Sequence, residues 1–322
     1  MNKNKKICVI GAGYWGANHI RTLNELKSLG GVVDYSKSIE LKIKDEYPKV
    51  DFFRNLENSF NKNYDGYIVA TPPSTHLEVA SAIIKKGYPI LIEKPMALNS
   101  NDAKKIVTLA NEYNVNAMVG HLLLFHPAII KIKELIDIGK IGKLQYIYSN
   151  RLNLGKIRTE ENVFWSFAPH DIAILQYFIN SYPIDISCSG AAYVQQEIHD
   201  TTITTLSYEN NIKAHIYLSW LHPFKEHRLV IIGSDGMLSF EDSSINKDIV
   251  FYDKKFILNG QIPEKKDGIT EKIPYVKTEP LKEELKYFID NLNINKIKKS
   301  DVENGYEIIK ILELASKILN EQ

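Results

Sequence analysis

The chain has 322 residues, 44% of them hydrophobic and 25% charged, which suits two globular domains and excludes a disordered or fibrous protein. Lys and Arg number 40 against 39 Asp and Glu, so the formal charge of +1 gives no basic footprint for nucleic acid. No apolar run reaches the roughly 18 residues of a membrane span, and two cysteines, Cys8 and Cys188, permit no disulfide framework, which fits a reducing compartment.

The start, Met1 to Ile10, imitates a secretory leader. Its apolar part is short and runs into Gly11-Ala-Gly-Tyr-Trp-Gly16 instead of a cleavage site, so a cytoplasmic protein is expected. The basic runs Lys3 to Lys6 and Lys296 to Lys299 read as solvated surface. Over the first 120 residues the pattern predicts strands at Ile7–Ile10, Gly31–Val33, Asp51–Phe53, Tyr67–Ala70, Ile90–Ile92 and Ala117–Val119. Helices are predicted over Asn18–Leu29, His76–Lys86 and Asn101–Tyr113, the last with capping chemistry in Asn99-Ser-Asn-Asp102. Such alternation argues for a parallel sheet covered on both faces. Beyond residue 120 the grammar changes. A helix over Pro127–Ile138 precedes a strand at Leu144–Ser149, and a second helix is placed after Pro169. Strand-like runs follow at Ala191–Gln195, Thr202–Tyr208, Lys213–Trp220, Leu229–Ile232, Met237–Phe240 and Ile249–Tyr252, with hairpin signals at Asn210-Asn211 and Ser234-Asp-Gly236. Residues 253–278 read as an exposed, partly irregular excursion, and Pro280–Leu292 and Val302–Leu319 as closing helices.

Gly11-Ala-Gly-Tyr-Trp-Gly16 is G-x-G-x-x-G between a strand and a helix. The glycines allow a tight turn and close approach of a pyrophosphate, and the helix N-terminus supplies N–H groups. Asp34, 18 residues after Gly16 at the end of the second strand, stands where a carboxylate accepts from the adenosine ribose hydroxyls. A carboxylate there repels the extra phosphate of NADP, so NAD is the expected cofactor, with Lys37 the one nearby cation. The fold class that follows is α/β. A Rossmann dinucleotide-binding domain over residues 1–121 precedes an α+β domain over residues 122–322, built on a large, mostly antiparallel open sheet.

Glu93-Lys94-Pro95 ends the fifth strand, at the carboxyl edge where open parallel sheets place their ligands. A lysine there can hydrogen-bond a reacting hydroxyl and favour alkoxide charge; the plain alternative is a solvated loop lysine. Arg151, Asn153, Lys156 and Arg158 form a cationic stretch of the kind a diphosphate-bearing substrate needs, with a solvated loop as the equal alternative. His121 and His126, like His222 and His227, are five apart, which puts each pair on different faces and makes neither a metal site. His19, His199 and His215 read as structural or surface residues.

The glycine motif, Ala70-Thr-Pro-Pro-Ser-Thr-His76 and Glu93-Lys94-Pro95 together resemble the Gfo/Idh/MocA family of sugar and inositol oxidoreductases, over essentially the whole chain. Gly120-His-Leu-Leu-Leu-Phe-His-Pro127, Arg151-Leu-Asn-Leu-Gly155, Glu161-Asn-Val-Phe-Trp-Ser-Phe-Ala-Pro-His-Asp171 and Ser219-Trp-Leu-His-Pro-Phe-Lys-Glu226 resemble its sugar-nucleotide branch. The resemblance implies a cofactor site of Gly11, Gly13, Tyr14, Trp15, Gly16, Asp34, Thr71, Pro72, His76, Glu93 and Lys94. It implies that Lys94 also touches substrate and that His170 takes the hydroxyl proton. Many members carry an Asp four residues before this histidine, where Ser166 stands here, and Asp171 points about 100° away from His170 on a helix. Arg151, Asn153, Arg158 and Ser166 are the expected substrate contacts, with no metal. The implied reaction is NAD-dependent oxidation of a UDP-amino sugar, at C3 of UDP-N-acetylglucosamine, by a homodimer or homotetramer, with an aminotransferase as the next enzyme toward a surface glycan. The alternatives are the corresponding uronate, a free sugar or inositol, or a catalytically silent dinucleotide sensor.

Overall fold

The computed structural model of the chain describes residues 5–293 and 296–321; the leader-like start up to Asn4, including Lys3, lies outside them. In chain order the first elements are β1 (Ile7–Ile10), α1 (Tyr14–Glu25), β2 (Leu29–Val33), α2 (Lys37–Glu46), β3 (Asp51–Phe53), α3 (Leu56–Ser59), β4 (Gly66–Val69), α4 (His76–Lys85), β5 (Ile90–Glu93), α5 (Ser100–Glu112) and β6 (Ala117–Gly120). Then come α6 (Pro127–Asp137), β7 (Leu144–Leu154), α7 (Val163–Ile179), β8 (Asp185–Ala191), β9 (Thr201–Ser207), β10 (Lys213–Ser219) and β11 (Leu221–Gly233). The chain continues through β12 (Met237–Glu241), β13 (Ile249–Asn259), β14 (Ile262–Ile273), α8 (Pro280–Asp290) and α9 (Val302–Asn320).

The chain divides into two compact units. One comprises the chain up to Phe125 together with Glu279–Lys310; the other comprises His126–Thr278 together with the chain from Ile311. The expected assignment of all residues 122–322 to a second domain is corrected by this return. Its physical reason lies at β6, the edge of its sheet. Val119 N donates to Ser300 O at 2.7 Å and Ser300 Oγ donates to Val119 O at 2.6 Å, so the returning segment satisfies an edge that water would otherwise have to satisfy.

In the first unit six parallel strands run in the order β3-β2-β1-β4-β5-β6. Residues of β1, β4 and β6 are buried throughout, Cys8 among them, which is why these strands read as unbroken apolar runs. The first helix begins at Tyr14, not at Asn18, and Leu29 belongs to a strand. Neither α2 nor α3 stood out in the sequence: α2 buries only Ile43, and α3 is one turn capped by Asn55, whose side chain accepts from Asn58 N at 3.0 Å.

The second unit holds an eight-stranded sheet, β14-β13-β12-β11-β7-β10-β9-β8, antiparallel except for β7 with β10. Asn210 and Asn211 turn with positive φ between β9 and β10, and Ser234 to Gly236 turn between β11 and β12. Three expectations change here. Residues 253–278 are not irregular: most of them form the outer part of β13 and its partner β14, solvated on both sides, so composition concealed a ladder. Ala191–Gln195 is not a strand, because Asp200 Oδ2 accepts from Tyr193 N at 2.5 Å and Val194 N at 2.9 Å in place of a ladder partner; the strand is Asp185–Ala191. The second helix starts at Val163, six residues before Pro169, since the Asn162 side chain accepts from Trp165 N at 3.0 Å and caps it.

That helix, α7, is nearly all buried, and one charged pair fixes it on the sheet. Arg151 on β7 donates through Nε and Nη2 to both oxygens of Asp171, at 2.9 and 3.0 Å, and Ser149 Oγ donates to Asp171 at 2.7 Å. A buried carboxylate that loses such donors keeps its desolvation cost. Arg151→Ala should therefore lower stability by about 3–5 kcal/mol, whereas the double change Arg151→Met with Asp171→Leu should recover most of it; urea unfolding of both variants checks this.

Candidate active site

At the carboxyl edge of the parallel sheet β1 is followed by Gly11, with φ of +86°. A Cβ on Gly11 would lie 2.8 Å from Ala70 O, and one on Gly16 only 1.9 Å from Gly11 O. Packing alone forces these two glycines. Gly13 is different: its φ is −66°, and a Cβ there would meet nothing within 4 Å. Neither strain nor the protein's own packing requires glycine at 13, whereas close approach of a pyrophosphate to the N-terminus of α1 does. The cradle fits a dinucleotide.

Asp34 is tied into the same turn. Its Oδ2 accepts from Ala12 N at 2.8 Å and its Oδ1 from Ser36 N at 2.9 Å, which orients the carboxylate and leaves lone pairs for hydroxyl donors. Tyr14 and Trp15 open α1 with largely exposed rings set edge to face, 6.1 Å apart. Thr71 and Pro72 follow β4. Thr75 Oγ1 donates to Thr71 Oγ1 at 2.8 Å, which holds that loop closed.

His76 is fully buried, contrary to a direct contact with cofactor. Its Nε2 lies 2.8 Å from Thr71 O and its Nδ1 3.1 Å from Pro95 O, so it joins the loop after β4 to the turn after β5. Burial lowers its pKa, against the pull of the two carbonyls. Glu93 likewise turns inward: Oε1 meets His19 Nε2 at 2.6 Å, and Oε2 accepts from Lys94 N at 3.1 Å. Lys94 itself is half-buried, between a cis bond to Pro95 and the end of β5.

Two buried groups near Lys94 escaped the sequence reading. His121, at the end of β6, has no hydrogen-bond partner on either ring nitrogen among the described residues. Burial and then the charge of Lys94 push its pKa down to about 3, so the imidazole is neutral. Its place just past an apolar strand is the signal for it in the sequence. His126 caps α6, accepting from Ala128 N at 3.1 Å. Glu284, on α8, is also buried, and burial followed by the charge of Glu93 raises its pKa well above the carboxylate range.

In the second unit Ser166 and His170 lie one turn apart on α7 and share a face. Asp171 is engaged by Arg151 and Ser149, as above. Arg151 and Asn153 lie on β7, which runs to Leu154, rather than in a loop after it. The Arg151 fork is thus occupied, and its Nη1 stands 3.5 Å from His227 Nδ1. Burial and then the Arg151 charge push the His227 pKa down to about 4. Arg158 is half-exposed in the loop before α7, 4.0 Å from Glu161.

Residues 5–121 match the Gfo/Idh/MocA oxidoreductase family, NAD-binding Rossmann fold, and residues 129–239 match the C-terminal domain of the same family. UDP-N-acetylglucosamine 3-dehydrogenase of Acidithiobacillus ferrooxidans is 25% identical over 239 residues, 72% of each chain. Its solved structure superposes with a TM-score of 0.85 at 22% identity, covering 98% of this chain and 97% of that one. Inositol 2-dehydrogenase 2 of Saccharopolyspora erythraea is 27% identical over 218 residues, 64% of each chain. The WlbA dehydrogenase of Bordetella pertussis, solved with NADH and UDP-GlcNAcA, gives a TM-score of 0.79 at 17% identity over 99% of this chain and 97% of that one. The structural likenesses establish the fold, and the matched domain establishes NAD as the cofactor.

Gly13→Ala should leave the melting temperature unchanged and weaken NAD binding. Gly16→Ala should destabilise the protein by about 1–3 kcal/mol through overpacking; calorimetry with and without NAD separates the two. Glu284 takes up a proton on folding, because its folded pKa lies above its unfolded one. That contribution is intact below about pH 4 and lost as pH rises toward the folded value. Glu284→Gln should therefore melt with the wild type at about pH 4 and increasingly above it as pH is raised from there, as a series of thermal melts will read.

Proposed function

The chain belongs to the Gfo/Idh/MocA oxidoreductase family, and on that premise we propose that it oxidises the C3 hydroxyl of UDP-N-acetylglucosamine to the 3-keto sugar nucleotide, using NAD. The observation that carries the reading is the placement of Lys94: it follows β5 at the carboxyl edge, on the same sheet as the open cradle at Gly13 and the anchored Asp34. Gly11, Gly13 and Gly16 would hold the pyrophosphate and Asp34 the adenosine ribose; Tyr14, Trp15, Thr71 and Pro72 line the same turns. Bound NAD supplies a hydride acceptor. Lys94 holds the reacting hydroxyl by hydrogen bond and favours negative charge on its oxygen, and His170 removes the hydroxyl proton. Ser166, one turn before His170, is the neighbour that replaces an acidic partner.

The sugar is chosen on the 25% identity with the UDP-N-acetylglucosamine enzyme and on the charges of the second unit. A uronate requires a further cation at the sugar, and Arg151 is already committed to Asp171. Arg158 and Asn153 remain as donors for the diphosphate. A 3-keto product suits an aminotransferase as the next enzyme.

NADH formation and product mass should be followed with UDP-N-acetylglucosamine, its uronate and myo-inositol, each with an aminotransferase to draw off ketone. Turnover of the first is expected, and His170→Ala and Lys94→Ala should each lower kcat by about 10²–10⁴. Turnover confined to the uronate or to inositol replaces the substrate, and near-normal kcat in His170→Ala removes that residue from the mechanism.

A further inference from the structure

Glu93 and Lys94 are chain neighbours with opposite fates. The Glu93 carboxyl points into the first unit, where Gly120 of the next strand leaves room for it: a Cβ at Gly120 would lie 3.3 Å from the carboxyl carbon. A buried carboxylate has to be met by donors. Two are present, His19 Nε2 at 2.6 Å and the main-chain N of Lys94 at 3.1 Å. An ionised carboxylate can only accept, so with Glu93 ionised the short contact has His19 Nε2 donating. His19 is fully buried on α1, the helix whose N-terminus carries the glycine turn. Glu284, brought from α8, is fully buried, and burial followed by the Glu93 charge raises its pKa. The carboxylate of Glu93 thus joins α1 to the main chain at Lys94.

We propose that Glu93 and His19 are positioning residues for Lys94, the pair tying the main chain at the lysine to α1 so that lysine and cofactor turn keep one register. The inference rests on the reading of Lys94 given above. It makes Glu93 a brace within the protein, in place of the direct cofactor contact that the family resemblance implied.

The test uses the whole protein with NAD and the changes Glu93→Gln, Glu93→Asp, His19→Gln and the double Glu93→Gln/His19→Gln. Wild type is first assayed on UDP-N-acetylglucosamine, its uronate and myo-inositol, and every variant is compared on the compound it oxidises. Glu93→Gln should lose about 10- to 100-fold in kcat, the scale set by a small misplacement of a reacting group, with NAD affinity changed by less than about threefold. His19→Gln should fall in the same direction, and the double variant should be no worse than Glu93→Gln, because one link is already cut. Glu93→Asp, which keeps the charge, should recover part of the loss. A downfield imidazole N–H proton resonance of His19 in wild type should vanish in Glu93→Gln. An unchanged kcat, a loss that falls on NAD affinity instead, or losses that add in the double variant each overturn the proposal. If Glu93→Gln fails to fold, the split between kcat and NAD affinity in His19→Gln decides the same question. Wild type active only on inositol defeats the substrate reading and leaves this inference to be judged on inositol. Wild type inert on all three compounds overturns the reading of Lys94 and this inference together.

Discussion

The carboxyl edge of the parallel sheet depends on one close approach, the passage of Gly16 against the carbonyl of Gly11. A Cβ at 16 would stand 1.9 Å from that oxygen, so the turn exists only with glycine there. Much else follows from its tightness. Gly11 N donates to Val33 O at 2.8 Å, which sets the turn against β2. Ala12 N then donates to Asp34, and the carboxylate is oriented by the same turn that opens helix α1. Helix α1 leaves this turn at an angle that delivers His19 to Glu93, so that the loop and the β5 turn are parts of one rigid arrangement.

Much of this was legible in the chain because it is local. Strands at Ile7–Ile10 and Asp51–Phe53 end where the apolar runs end, and Asp34 stands where the spacing from Gly16 placed it. What escaped was decided by partners far along the chain. Glu93 read as a cofactor ligand from its motif, but the room at Gly120 and the donor on α1 turn it inward. Arg151 read as a free cation, but a strand longer than its apolar start carries it to Asp171. The paired arms β13 and β14 were hidden for another reason. Beyond Tyr252 they have solvent on both sides and no alternation of polar and apolar residues, and only hydrogen bonding across the ladder defines them.

In the second unit charge does the work of shape. Around Arg151, the side chains of Ser149, Asp171 and His227 are arranged so that a guanidinium is enclosed with a carboxylate and a neutral imidazole. Such a set favours one seating of α7 over its neighbours a turn away, since every other seating strands a charge. Register on this helix matters because Ser166 and His170 ride on it.

The return of Glu279–Lys310 to the first unit has a consequence for how the protein is made. Ser300 and Val119, which bond each other at the edge of the parallel sheet, are 181 residues apart. During synthesis the strands of this sheet emerge early, yet the segment that seals β6 and brings Glu284 beneath Glu93 emerges only after the whole eight-stranded sheet. The dinucleotide unit is therefore begun first and sealed only after the eight-stranded sheet has been made, and on the ribosome its raw edge stays open to any extended strand in the meantime.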